Sequence, residues 1–336
     1  MKRSLTVILV TGLLMTGCGT TSQVKPDWIN AKSKDYPSNR YLIGRGESKR
    51  QAQARDRARA DLAKIFQVAV VEQSRDIERY SSRGVGRDAI KQLESEASRD
   101  IETRTEQVLS GIDIAEIWEE PKTKQFHALA ILDRLQTSNR LRQEINHLDE
   151  VTDQHIAVAR NNSDLITSIG AASRAVESQV ERDSTQRILK IVDRSGVGVI
   201  PKHNLGKLVN DRDALVKRLT VSPNISKDDI GGLDRTIAGA LAYAGFSHKG
   251  KTANYILDAN LETLPIEDKE GWMWVRASLD INLKDAKTGD SRGSHRWDFK
   301  ASAQTAGSAK KRVKSKIDQL LKTELKKTII SFGKPE

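Results

Sequence analysis

Apolar and polar residues alternate most regularly along positions 272–283. Met273, Val275, Ala277, Leu279, Ile281 and Leu283 interleave there with Trp272, Trp274, Arg276, Ser278, Asp280 and Asn282. A period of two predicts a half-buried antiparallel strand. Residues 285–290 read as a turn, and His295, Trp297, Phe299 and Ala301 carry the alternation onto a returning strand. Tyr255, Leu257, Ala259 and Leu261 predict another strand. Before it, Ile230, Leu233, Ile237, Leu241 and Ala244 line one face of a helix, capped by residues 226–229 and ended by Gly245. Val313, Ile317, Leu320, Leu321, Ile329 and Phe332 mark a final helix. The order helix, three strands, helix predicts a sheet with helices on one face over residues 200–332.

The same reading organises the first part of the chain. Pro26-Asp27-Trp28-Ile29 leads to a short apolar strand, Tyr41-Leu42-Ile43-Gly44-Arg45-Gly46. From Ser48 to about Val71, good helix formers place Ala54, Ala58, Leu62, Ile65, Phe66 and Ala69 on one face. The alanines suit close approach to a sheet. A second helix is expected after Gly84, with Ile90, Leu93, Ala97, Ile101 and Val108 along one side. Residues 112–118 and 126–133 predict a strand hairpin turning at 121–124. The glycines at 44 and 46 are read as easing a tight strand-to-helix turn. A dinucleotide-binding loop needs a third glycine where Lys49 stands.

Between these regions, residues 135–193 hold no proline and a single glycine, Gly170. Leu141, Ile145, Leu148, Thr152, His155, Ala159, Asn162, Ile166, Ile169, Ser173, Val176 and Val180 recur at four- and three-residue steps, a diluted heptad seam. One long coiled-coil stalk and a hairpin folded at residues 161–163 both satisfy this pattern; the stalk is preferred. His147 and His155 lie about 12 Å apart along a helix, too far to share one metal ion. The predicted fold is therefore α+β: two small α/β sandwich-like domains, 26–135 and 200–332, joined by a long helical, coiled-coil-like connector at 136–194.

The amino terminus has a separate logic. Lys2 and Arg3 precede an uncharged run from Leu5 to Met15, the pattern of an export signal. The run falls short of the roughly 20 apolar residues that span a bilayer. It ends Leu14-Met15-Thr16-Gly17-Cys18, which resembles the lipobox of bacterial lipoproteins. That resemblance implies cleavage of residues 1–17 after Gly17 and a diacylglycerol, with further acylation such as palmitate, on Cys18. Cys18 is the sole cysteine, so disulfides and thiolate chemistry drop out. Residues 18–25 are small and polar enough for a tether. Gly19 lacks the usual inner-membrane retention signal, which favours the outer membrane, facing the periplasm.

Composition narrows the partners. Losing Lys2 and Arg3 takes the formal charge from +11 to +9. An exported basic chain meets membrane phosphates or acidic cell-wall groups, not nucleic acid. No phosphate-binding loop, HExxH pair, GxSxG elbow or clustered metal ligands occur, so neither an enzyme nor a cofactor or metal site is expected. Pro26-Asp27-Trp28-Ile29, the strand ending Gly44-Arg45-Gly46, the alanine-rich helix with Ala52, Ala54, Ala58, Ala60 and Ala63, then Gly111-Ile112-Asp113-Ile114 and Leu129-Ala130-Ile131-Leu132-Asp133, together resemble the Lpp-twenty lipoprotein family. The resemblance covers about residues 26–135. It implies an outer-membrane or envelope lipoprotein without established enzymatic activity, some members being flagellum-associated.

Two features are candidate binding surfaces. Trp272 and Trp274 fall on the polar phase of their strand, free to stack on sugar rings or a partner unless a neighbouring element covers them. The final helix is basic, with Lys310, Lys311, Arg312, Lys314, Lys316, Lys322, Lys326 and Lys327. It is either a solvated face or a contact for membrane phosphates and acidic wall groups. The sequence thus points to a lipid-anchored envelope protein that scaffolds or regulates an assembly, or alternatively to a peptidoglycan-binding module or activator of wall synthesis. Its expected partners are membrane lipid through acylated Cys18 and an envelope protein or peptidoglycan.

Overall fold

The structure is a computed structural model that describes residues 24–30, 33–81, 108, 110–246 and 253–333, with side chains of the first helix described as far as residue 66. Gly17, Cys18 and all but the last residue of the second expected helix lie outside the described residues. The chain is α+β, as its periodicities predict.

Strands β1 (Tyr41–Ser48), β2 (Asp113–Glu119) and β3 (Phe126–Asp133) form an antiparallel sheet with β3 in the centre. The run Ala128-Leu129-Ala130-Ile131-Leu132 accounts for that place, because a strand covered on both faces needs apolar residues in both phases. Ala128, Ala130 and Leu132 join Leu42 against helix α1 (Gln51–Ser81), where Ala54, Ala58, Leu62 and Phe66 are fully buried. Val108 packs into the same core. Leu129 and Trp118 face the other way, covered by Trp28 from a 3-10 turn at Asp27–Ile29. Gly44 and Gly46 have a different reason from the one expected. Neither adopts the left-handed conformation. A Cβ on Gly46 would fall well inside van der Waals contact of the Ala58 amide and the Ala54 carbonyl, and one on Gly44 would strike the Ala58 carbonyl. These glycines let α1 lie directly on β1.

The connector corrects the preferred reading of a single stalk. Helix α2 (Arg134–Asn161) ends at Asn162, and α3 (Leu165–Val192) starts one turn later, running back along it. The break has a local cause, since Asn, Ser and Asp side chains compete for backbone partners. Asn162 Oδ1 accepts the Asp164 N–H at 2.8 Å, and the Asp164 carboxylate caps α3 by accepting the Thr167 N–H at 3.0 Å. Leu141, Ile145, Leu148 and Thr152 are buried, Leu141 and Ile145 in the first sheet's core, whereas His155, Ala159 and Asn162 of the expected seam are not.

Helix α3 is buried on nearly every side. Its Ile188, Leu189 and Val192 belong to the first core, whereas Ile166 and Ile169 belong to the core of the second sheet. Burying each such side chain contributes roughly 1.5–3 kcal/mol. The partly exposed Arg142–Asp193 pair at the same end adds about 0–1 kcal/mol, so apolar docking dominates. Midway, Val176 and Val180 pack on Leu208 and Val209 of α4 (Leu205–Arg218), a helix the sequence reading did not predict. Arg182, 2% exposed, reaches Asp149 of α2 at 3.2 Å and the carbonyls of Val199 and Ile200 at 3.3 Å. Gln179 donates to the same carboxylate at 3.0 Å and to Thr152 Oγ1 at 2.9 Å.

The second sheet runs β4-β5-β7, with β8 on the far edge of β7 and the short β6 extending the near edge. Its strands are β4 (Val221–Asp228), β5 (Tyr255–Thr263), β6 (Glu267–Lys269), β7 (Trp272–Asp285) and β8 (Ser291–Ala303). Only β4 and β5 pair in parallel. Helices α5 (Leu233–Tyr243) and α6 (Ala306–Ser331) cover one face, burying the predicted apolar phase of β7 from Val275 to Leu283. Residues 226–229 do not form the cap expected of them. They end β4, an edge strand carrying Pro223, and Gly232 in the left-handed region precedes α5. Asp228 still serves the helix, accepting the N–H groups of Ile230, Gly231 and Leu233. Tyr255 joins sheet to hairpin: its hydroxyl donates to Asp164 at 2.6 Å and accepts the Ile166 N–H at 3.2 Å.

Two substitutions test this packing by urea denaturation. Gly46→Ala is expected to cost about 3 kcal/mol or more, because backbone cannot yield as a side chain can. Arg182→Ala is expected to cost about 3–5 kcal/mol by leaving Asp149 buried without its cation. An unchanged midpoint in either variant would contradict the corresponding contact.

Candidate functional site: the open face of the second sheet

Helices cover one face of the second sheet, and among the described residues no helix packs on the other. Register sets side chains of this open face in rows across the strands. Asn224, Asp258, Asn282 and Ser294 form one row. Asn260, Asp280 and Arg296 form the next, with Ser226 at the β4 bulge beside it. Apart from Asn224, the two rows line a groove of about 430 Å³. Its carboxylates are already matched. Asp258 accepts from Lys284 at 2.6 Å and from Asn224 Nδ2 at 2.7 Å, and Asp280 lies 3.6 Å from Arg296. Burial pushes the Asp258 carboxyl up, but the hydrogen bonds from Lys284 and Asn224 outweigh it and hold its pKa below the ordinary carboxylate range. The groove therefore offers amides, hydroxyls and compensated carboxylates without a large net charge. Asn260 Oδ1 is shielded from solvent there and accepts no hydrogen bond.

The tryptophans stand on the same face, farther along β7. Trp272 is 44% exposed where β6 meets β7. Trp274 is half-buried, with the Lys300 ammonium 4.3 Å from its ring centroid, a cation–π contact. Among the described residues, neither lies under a helix.

Helix α6 uses several of its cations within the fold. Lys310 and Lys314 donate to the carbonyls of Asp229 and Gly231 in the loop before α5, and Arg312 and Lys316 to those of Ser302 and Lys300 on β8. These cations crowd the amino-terminal half of the helix, where its dipole disfavours positive charge, and the carbonyls compensate. Lys311 stays exposed. The sequence had placed Lys310, Lys311, Arg312 and Lys314 on one basic surface; the structure shows three of them bound to loops and strands.

The first sheet holds its amino-terminal segment tightly. Trp28 Nε1 donates to Glu116 at 2.6 Å, and Arg45 Nε donates to the Trp28 carbonyl at 2.5 Å. Segment, strand, alanine-rich helix and closing hairpin thus form one packed layer. Residues 26–133 match the family model of the LPP20 lipoproteins. The LPP20 region ends where β3 gives way to α2. The resemblance read from residues 26–135 is the one the family model finds.

Among solved structures, the chain is similar to the secreted protein HP1454 from Helicobacter pylori, at 13% identity and a TM-score of 0.42 over 84% of this chain and 96% of that one. Lipoprotein GNA1162 from Neisseria meningitidis is similar at 13% identity and a TM-score of 0.22, over 30% of this chain and 95% of that one. A minor lipoprotein from Acinetobacter baumannii is similar at 14% identity and 0.23, over 33% and 89%. No curated protein matches the chain.

The groove residues do not stand out in the sequence. Their signal is the polar phase of two strands, Asp258 and Asn260 on one, Asp280 and Asn282 on the other. Only strand register shows that they adjoin. No group of three or more His, Cys, Asp or Glu side chains converges among the described residues. Nor is any helix among them long and apolar enough to cross a membrane.

Because its folded pKa is depressed, Asp258 contributes stability above the unfolded value of about 3.9, and that contribution is lost as pH falls through the folded value. NMR titration is expected to place the Asp258 midpoint below the ordinary carboxylate value, and Lys284→Met to raise it. A midpoint indifferent to Lys284 would show that the pair does not form.

Proposed function

We propose that the protein is an envelope lipoprotein that scaffolds or regulates an assembly at the inner face of the outer membrane and catalyses no reaction. Its moorings are fatty chains on Cys18, left at the new amino terminus when cleavage follows Gly17. One observation carries this reading: a lipobox at residues 14–18 is followed from residue 26 by a match to a lipoprotein family. Two or three acyl chains make such attachment effectively permanent, since each buried methylene contributes about 0.8 kcal/mol. Flagellum-associated assemblies are one setting that the LPP20 likeness suggests.

The reading has a geometric consequence. The buried Trp28 lies ten positions after Cys18, so this contact with the first sheet stays within about 35 Å of the anchored thioether even at full extension. In this reading the LPP20 layer is the membrane-proximal part, and the second sheet is held by the α2–α3 hairpin for contact with something else. A second reading follows from that: a peptidoglycan-binding module or activator of wall synthesis. The exposed Trp272 beside an uncovered polar sheet face favours it.

Full-length Cys18→Ser, expressed in a bacterial host, is expected to leave the membrane fraction for the soluble one. Intact-mass analysis of the wild-type product should show an acylated cysteine at its amino terminus. A variant that still sediments with membranes, or a wild-type amino terminus without acyl groups, would remove the lipid anchor from the account.

A further inference from the structure

The uncovered face of the second sheet has the chemistry of a particular ligand. Its two polar rows present Asn and Asp side chains in pairs across β5 and β7, Asn260 opposite Asp280 and Asp258 opposite Asn282. Paired amides and carboxylates at strand spacing, about 4.8 Å, suit ligands with adjacent hydroxyl and acetamide groups, which both donate and accept. Lys284 and Arg296 already compensate the two acids. A strongly charged ligand would therefore have to break an ion pair, whereas a neutral one would not. From Asp280 to Trp274 is six residues along β7, about 20 Å, the span of several sugar rings. Just beyond it Trp272, 44% exposed, supplies an apolar ring face of the kind on which sugars stack, while the Trp274 ring is occupied by the Lys300 ammonium.

We propose that this face is a binding site for the neutral glycan strand of the cell wall, with the groove hydrogen-bonding one stretch of sugars and Trp272 stacking on another. The inference rests on the wall-binding reading above and adds to it the residues that make the contact. Helix α6, which the sequence offered as a second wall-contacting element, packs on the opposite face and takes no part.

The test uses the full-length protein in mild detergent, purified sacculi, and the tetramer of N-acetylglucosamine as a soluble probe. Trp272→Ala and Asn282→Ala both alter solvent-facing side chains and should leave the circular dichroism spectrum unchanged. Each is expected to weaken sedimentation with sacculi, and binding of the tetramer, about tenfold, the size of one good polar or stacking contact. Glu324→Gln, exposed on α6 on the other side of the sheet, should leave both unchanged. Wild-type protein that sediments with sacculi while both variants bind equally well would overturn the groove assignment and leave wall binding intact. Failure of the wild-type protein to bind either probe would remove both. Binding to lipopolysaccharide micelles in preference to sacculi would overturn the choice of the wall glycan as occupant.

Discussion

The reversal of the chain at residues 162–164 is the constraint on which the remaining arrangement depends. It allows a single helix of 28 residues, α3, about 42 Å long, to end in two separate apolar cores. Ile166 and Ile169 close one; Ile188, Leu189 and Val192 close the other. Gly170, Ala171, Ala172 and Ala175 are buried along this helix. Arg182 and Asp149 fix how the two helices sit along one another. Such a buried pair adds little net stability compared with an apolar substitute. Its contribution is to register, since a slip along the pair would strand both charges.

The two sheets meet their surroundings differently, and the difference is written in their strands. The central strand of the LPP20 layer is apolar in both phases and is covered on both sides, by α1 and by the Trp28 segment. The central strand of the second sheet is apolar in one phase only, and among the described residues helices cover that side alone. The layer nearest the amino terminus is thus closed, and the far sheet has a face left for contact. Tyr255, Asp164 and Arg292 join that sheet to the hairpin turn, so the open face is carried on a rigid support rather than a loop.

Strongly periodic elements are legible in the amino-acid order. Strand β3 has the predicted bounds, β7 buries the predicted phase, and Gly245 ends its helix in the left-handed conformation as its type suggests. What escapes is weakly periodic or shaped by neighbours. Strand β4 carries Pro223 and a polar majority, because it lies at an edge and pairs in parallel with β5. Helix α4 buries only Leu208, Val209 and Val216, too sparse a face to stand out. The heptad seam identifies residues that meet a helix without showing that the helix is the next stretch of the same chain. Gly44 and Gly46 are legible as special, yet the cause, the backbone of α1 lying against them, belongs to another element.

By itself the sequence determined which strongly periodic stretches become helix or strand, which phase of those is apolar, and that residues 26–133 follow the pattern of a lipoprotein family. Those properties are local, set by side-chain period and backbone preference within a few turns or pleats. Tertiary structure alone decided that the connector doubles back, that four cations in the first half of α6 are engaged by neighbouring carbonyls, and that Asp258, Asn260, Asp280 and Asn282 line one groove. Such outcomes depend on which distant surfaces exclude water from each other, and alternation along a single strand is the same whether its polar side meets solvent, a helix or a ligand.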